Sequence, residues 1–320
     1  MANSWTECGH ALASSSLTAL AFDPHSELLW AGTASGQVVS HYSPGLVRYT
    51  SFPATGSPYN PSPVKDFLID DRNVYTLGER VVHSAMRRGI ANWSVHTDKT
   101  ARHLQLASMC ATPLGSGSEI VAGGTSNGIG SPIENDIVVV INKNSSTITR
   151  TASAEASIVK LRKYTRLVCA GASDGSIQLR DPRSLKVEHR LAAHAGGLID
   201  MAVEGNMIYS VGWTVRLGHP VPDAFVKVHD IRTNRSLVPL AFAAQGGPAL
   251  LSIHPKQNST IFVTGPQGQF QVVDVNSPGE GLFFQTSTAS FVTSMALSPS
   301  ADFLAFGEAD GSIRLWTTIS

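Results

Sequence analysis

Two aspartates are the residues best placed to do chemistry in this chain. Asp66 opens the run Asp66-Phe67-Leu68-Ile69, and Asp200 sits inside Leu198-Ile199-Asp200-Met201-Ala202. Carboxylates delivered from several such runs to one axis could cage a divalent ion and activate a bound water. The comparable runs elsewhere carry Thr18 and Ser294, so the cage is weak and no resident metal is expected. Other reactive groups are scattered. Gly123 to Gly130 is glycine-rich like a phosphate loop, but no Lys-Ser/Thr and no helical pattern follow it. The eleven histidines make no helical i,i+4 pair, and Cys8, Cys110 and Cys169 form no Cys-x-x-Cys. No serine elbow or Cys/His nucleophile motif is present. Lys160, Arg162, Lys163 and Arg166 surround Tyr164. A basic stripe with an aromatic can hold RNA, but solvated strand edges carry lysines for solubility anyway, and that is the favoured reading.

Composition narrows the classes further. The net charge is +0, so no global field draws in nucleic acid or an anionic membrane. The odd cysteine count favours reduced thiols and a cytosolic or nuclear protein. The longest aliphatic stretch, Ile137 to Ile141, is far too short to cross a bilayer, and no signal peptide is expected.

What must position these residues is a repeat. An apolar run ending in glycine recurs at Gly32, Gly78, Gly123, Gly171, Gly212, Gly265 and Gly307, with steps of 46, 45, 48, 41, 53 and 42 residues. A four-stranded propeller blade takes roughly 40–50 residues. Each unit reads as an alternating strand a, an apolar strand b ending in that glycine, a tight turn, strand c and an outer strand d. The turns Ser35-Gly36, Asp174-Gly175, Gln267-Gly268 and Asp310-Gly311 are hairpin signals. The strand b glycine implies either a close approach or an unusual φ.

The expected fold is an all-β, seven-bladed propeller forming one domain. Its blades cover about 17–55, 64–97, 104–153, 158–197, 198–242, 248–286 and 292–320. The seventh unit ends without a strand d, and residues of about 5–12 belong to no repeat, so the N-terminus is expected to complete the last blade and close the ring. Two units are stretched between strands b and c, at 124–135 and 213–223. Both insertions leave the same face, which suggests a contact surface of Trp213, Arg216, His219 and Phe225 with Asn127 and Ile129. Packing of Trp213 and Phe225 between blades is the equal alternative.

The phrase Ala170-Gly171-Ala172-Ser173-Asp174-Gly175-Ser176-Ile177-Gln178-Leu179-Arg180-Asp181 resembles a WD40 repeat. The chain has no Trp-Asp pair, and His194 is the nearest relative of the Gly-His signature, so most blades should lack the usual buried polar brace. Longer runs narrow the resemblance. They include Leu17 to Pro24, Glu27 to Gly32, Arg48-Tyr49-Thr50-Ser51-Phe52, Ser84 to Gly89 and Asp223 to Arg232. From Trp5 to Trp316 the chain is similar to the N-terminal WD40-like region of the catalytic subunit of the poly(A) nuclease (PAN) deadenylase complex.

That resemblance implies a non-catalytic recruitment scaffold in mRNA deadenylation and decay. It implies no cofactor here, with a divalent metal such as Mg²⁺ only in a nuclease domain beyond residue 320. The implied partners are a pseudokinase-containing adaptor subunit and mRNA tails coated by poly(A)-binding protein, with direct RNA contact weak or absent. The implied location is cytoplasmic, with mRNA-decay granules (P-bodies) as a further expectation. Two other readings stay open: an interaction platform of another complex, such as a ubiquitin ligase receptor, and a propeller enzyme with a metal in its channel.

Overall fold

The computed structural model describes residues 4–55, 59, 61–97, 104–113, 117–126, 137–288 and 290–319. Among them lie seven antiparallel sheets. Strand β1 (Ser4–Leu12) precedes blade 1, which is β2 (Leu17–Phe22), β3 (Leu28–Thr33), β4 (Gln37–Tyr42) and β5 (Val47–Pro53). Blade 2 is β6 (Asp66–Ile69), β7 (Asn73–Leu77), β8 (Val81–Met86) and β9 (Ala91–His96). Blade 3 is β10 (Leu104–Ala111), β11 (Glu119–Ser126), β12 (Ile137–Asn142) and β13 (Thr147–Ser153). Blade 4 is β14 (Ile158–Lys163), β15 (Val168–Ala172), β16 (Ser176–Arg180) and β17 (Val187–Ala192). Blade 5 is β18 (Gly197–Glu204), β19 (Met207–Arg216), β20 (His219–Pro222), β21 (Phe225–Asp230) and two outer fragments, β22 (Arg235–Ser236) and β23 (Leu240–Ala241). Blade 6 is β24 (Leu250–Ile253), β25 (Thr260–Thr264), β26 (Gln269–Asp274) and β27 (Leu282–Gln285). Blade 7 is β28 (Val292–Leu297), β29 (Phe303–Glu308) and β30 (Ser312–Ile319), with β1 as its outer strand.

The inner strands touch in one closed cycle, β2–β6–β10–β14–β18–β24–β28 and back to β2. The architecture is therefore the seven-bladed propeller that the period implies. Closure is by β1, which runs antiparallel to β30 from Ser4 opposite Ile319 to Leu12 opposite Ser312. Every position of β3, β15 and β16 is buried, as strands sandwiched between neighbouring blades must be. Gly36, Gly175, Gly268 and Gly311 sit at φ 79°, 81°, 82° and 96°, the left-handed region that makes those four turns favour glycine.

The strand b glycines serve packing rather than an unusual φ. In blades 1, 3, 4 and 7 each lies under the first aliphatic side chain of the next blade. A β-carbon at Gly123 would come within 3.2 Å of Ile158, at Gly171 within 2.8 Å of Leu198, and at Gly307 within 3.1 Å of Leu17; at Gly32 it would collide with Val64. The glycine is a socket and the neighbour's side chain the plug. Gly78, Gly212 and Gly265 do not share this role. There the socket register falls one residue earlier in blades 2 and 5, where Leu77 and Val211 pair with Asp66 and Asp200. The glycine instead lets nearby segments approach, His194 at Gly212 and Phe242 at Gly265.

Candidate interaction face

Among the described residues, the b–c and d–a connections leave one face, and the a–b and c–d turns leave the other. The long connection of blade 5, expected as an insertion between strands b and c, is a regular hairpin. Strand β19 runs on past the sheet, turns at Leu217-Gly218 and returns as β20, pairing Trp213 with Pro222 and Arg216 with His219. Both turn residues have positive φ, 50° and 80°, which is the two-residue hairpin geometry. Pro220 and Pro222 remove donors from the free edge of β20, so it cannot recruit another strand there.

Trp213 is 37% exposed and Phe225 is 42% exposed, while Arg216 and His219 are open to solvent. Trp213, Arg216 and His219 are brought onto one hairpin. Phe225 starts β21 opposite Ala241, beside the hairpin's base rather than on it. Asn127 and Ile129 lie outside the described residues. Sequence reasoning missed the tip. Leu217 is 100% exposed and holds a left-handed φ that a leucine rarely adopts, and Val215 is half exposed behind it. The alternation Trp213-Thr214-Val215-Arg216 before Leu217-Gly218 was the available signal. Phe291, 62% exposed in the d–a link of blades 6 and 7, opens on the same face.

The hairpin is rooted on a buried polar network. His194 Nε2 lies 3.1 Å from Ser210 Oγ, and its Nδ1 faces Asp223 Oδ2 at 3.5 Å. Lys227 Nζ approaches the same carboxylate oxygen at 3.3 Å, and the Asp223 amide donates to the Gly212 carbonyl. The Gly-His relative noted in the sequence thus braces the blade that carries the projecting arm. Burial, helped by the Lys227 charge and opposed by Asp223, pushes the His194 imidazole down to about 4.

A pH dependence follows. Unfolded, this ring titrates near 6.5, so above that pH both states hold it neutral. As pH falls, the unfolded chain binds a proton that the folded chain refuses until about 4. Stability contributed by the neutral ring is then lost across that window, up to about 3 kcal/mol. Burial also lowers His41, His83 and His229, which act in the same direction. Urea denaturation between about pH 7 and 4.5 should show stability falling steadily, with a shallower slope in His194→Asn. A flat profile in the wild type would contradict this account.

The basic cluster divides. Lys160 Nζ and Arg162 Nη2 both point to Asp200 Oδ1, at 3.2 and 3.8 Å, across the blade 4–5 boundary. Lys163 and Arg166 remain exposed, and Tyr164 donates to Asn206. The stripe that could have tracked RNA therefore has two of its cations turned to the ring's inner wall. The two aspartates are likewise engaged. Asp66 Oδ2 accepts from Ser108 Oγ and the Met109 amide of blade 3. Asp200 Oδ2 accepts from the Leu251 amide of blade 6. Each carboxylate fastens the next inner strand's backbone. Among the described residues no three His, Cys, Asp or Glu side chains gather as metal ligands would.

Comparison with known proteins adds a second line of information. A sequence profile of the family described as PAN2 N-terminal matches residues 6–317. The chain is 34% identical over 315 residues to the PAN2-PAN3 deadenylation complex catalytic subunit PAN2 of Cryptococcus neoformans var. neoformans serotype D, covering 94% of this chain and 25% of that protein. It is 30% identical over 304 residues to the corresponding subunit of Schizosaccharomyces pombe, covering 95% and 26%. The chain thus spans about a quarter of the length of these curated relatives. Among solved structures, the Neurospora crassa Pan2 WD40 domain superposes with a TM-score of 0.86 at 25% identity, over 99% of this chain and 96% of that one.

Proposed function

The chain belongs to the PAN2 N-terminal family, and from that premise we propose that it is the non-catalytic recruitment propeller of a deadenylase subunit. The nuclease, with its divalent metal, would lie in the remainder of a longer cytoplasmic polypeptide. The propeller would hold protein partners: the pseudokinase-containing adaptor and poly(A) tails coated by their binding protein. One observation carries this reading. The braced β19–β20 arm presents Leu217, Val215 and Trp213 to solvent, at a cost in apolar exposure and backbone strain that a purely structural hairpin would not need. Engagement of the two channel aspartates by backbone amides fits a scaffold better than a channel enzyme.

The test places Leu217→Asp in the full-length subunit and measures deadenylation of protein-coated and naked poly(A). Removing a central apolar anchor should slow the coated substrate by about tenfold or more and leave the naked one nearly unchanged. Equal loss on both substrates would reject recruitment through this arm. An unshifted melting temperature would show that the variant folds.

A further inference from the structure

A recess lies on the other face, at the rim between blades 1 and 2. Its volume is about 770 Å³, and its wall includes Tyr49, Met86 and Ile90 with Arg72, Arg87 and Arg88. Met86 is 47% and Ile90 60% exposed, so the floor is an open aliphatic surface. Among the described residues no carboxylate lines its wall, although exposed Asp71 stands 3.8 Å from Arg72. In a chain of net charge +0, that is a local imbalance. The groove between the a–b turns of blades 7 and 1 is the opposite case, lined by Asp23, Glu27 and Asp302.

The three arginines do different work. Arg87 is spent inside the protein. Its Nε and Nη2 donate to both oxygens of Asp23 in blade 1, at 2.7 and 2.8 Å, and its guanidinium also donates to the Asp70 and Asp71 carbonyls. Bonding to Asp23 outweighs burial and raises its pKa above the ordinary arginine range. This fork stitches the c–d turn of blade 2 to blade 1. The turn is closed by the Met86 amide to Ile90 carbonyl and the Gly89 amide to Met86 carbonyl, both 2.8 Å. Met86, Arg88 and Ile90 are therefore presented on a pinned turn, which spares a ligand the entropy of ordering that backbone. Arg88 is exposed and makes no side-chain hydrogen bond or ion pair among the described residues. Arg72 is nearly free, with only exposed Asp71 at 3.8 Å.

We propose that this recess docks an acidic segment of a partner protein, an aliphatic or aromatic anchor seated on Met86 and Ile90 with flanking carboxylates on Arg72 and Arg88. Free guanidinium forks match carboxylates in geometry as well as charge. An aliphatic floor with one aromatic, Tyr49, offers no platform on which successive bases could stack, which disfavours RNA. The site is independent of the β19–β20 arm, which leaves the opposite face.

The experiment pans a random peptide library displayed on phage against the chain, with Arg72→Glu/Arg88→Glu/Ile90→Asp as the counter-target. Enriched peptides should combine clustered Asp or Glu with a large apolar residue. They should bind the wild type about tenfold or more tightly than the counter-target, lose affinity with added salt, and bind Leu217→Asp unchanged. Enrichment without acidic residues, no enrichment over the counter-target, or tighter binding of an oligoadenylate than of the selected peptides would each overturn the proposal. Arg72→Glu/Arg88→Glu alters only exposed side chains, so its thermal melt should match the wild type. With that fold check it serves as the second counter-target.

Discussion

Deleting residues 1–14 should abolish cooperative folding of the remaining chain. Strand β1 supplies more than an outer edge. Trp5 is 6% exposed and packs edge-to-face on Phe262 of blade 6, with ring centroids 5.4 Å apart. Glu7 accepts from Arg314 Nη1 at 3.0 Å and from Ser287 Oγ at 2.7 Å. Gly9 lies against Leu46 of blade 1, where a β-carbon would stand 3.3 Å away. One strand thus seals blade 7 to both its neighbours. Its loss exposes Trp-lined core worth about 3–5 kcal/mol from the tryptophan alone. It also leaves the β30 ladder unpaired and strips Glu7 from Arg314, whose guanidinium also neutralises buried Glu308 at 2.6 Å. Burial opposes that arginine's charge, yet Glu308 and Glu7 together hold its pKa above the ordinary range. The sum approaches the whole stability of a domain, about 5–15 kcal/mol. Thermal melts and gel filtration of the truncated chain should show a non-cooperative or aggregating species, with Trp5→Ala intermediate. A sharp transition within a few degrees of the wild type would mean that closure contributes little.

The need for that strand is legible in the amino-acid sequence, because the last unit is one strand short and unassigned residues stand at the other end. An open ring would expose unpaired backbone groups, so the two facts have one economical solution. The glycine phrase is legible as a period but not as a register. Gly32 pairs with Ala19 and Gly307 with Ser294, whereas Leu77 and Val211 take the equivalent places opposite Asp66 and Asp200. An inner-strand bulge precedes that place in blades 1, 3, 4, 5 and 7 but not in blade 2, so the offset does not follow the bulge, and neither feature leaves much trace in composition. The β19–β20 arm reads as an insertion, not as a hairpin, because Pro220 and Pro222 argue against a strand. They are tolerated since, among the described residues, the outer edge of β20 pairs with no strand. The ion pairs of Lys160 and Arg162 with Asp200 join residues far apart in sequence. They become neighbours only once successive inner strands are known to lie side by side.

Asp200 is 4% exposed and ties three blades together. It takes the charges of Lys160 and Arg162 from blade 4, sits in blade 5 with the Met201 amide on Oδ1, and accepts the Leu251 amide of blade 6 on Oδ2. Asp200→Ala would leave two cations facing one another and a buried N–H without an acceptor. Breaking such a pair from one side costs about 3–5 kcal/mol, although both cations keep some solvent access and the lower figure is the better guide. Asp66 makes the same kind of clasp to Ser108 and Met109, with no cation paired to it among the described residues. Asp66→Ala should cost only about 1–3 kcal/mol, the loss of the hydrogen bonds. The difference isolates the charge. If stranded cations cause it, Lys160→Met should restore part of the stability lost in Asp200→Ala, giving a non-additive double-mutant cycle of about 1 kcal/mol or more. Urea unfolding of the singles and the double measures all the terms. Equal costs for the two aspartates together with an additive cycle would show that Asp200 acts through its backbone bonds alone.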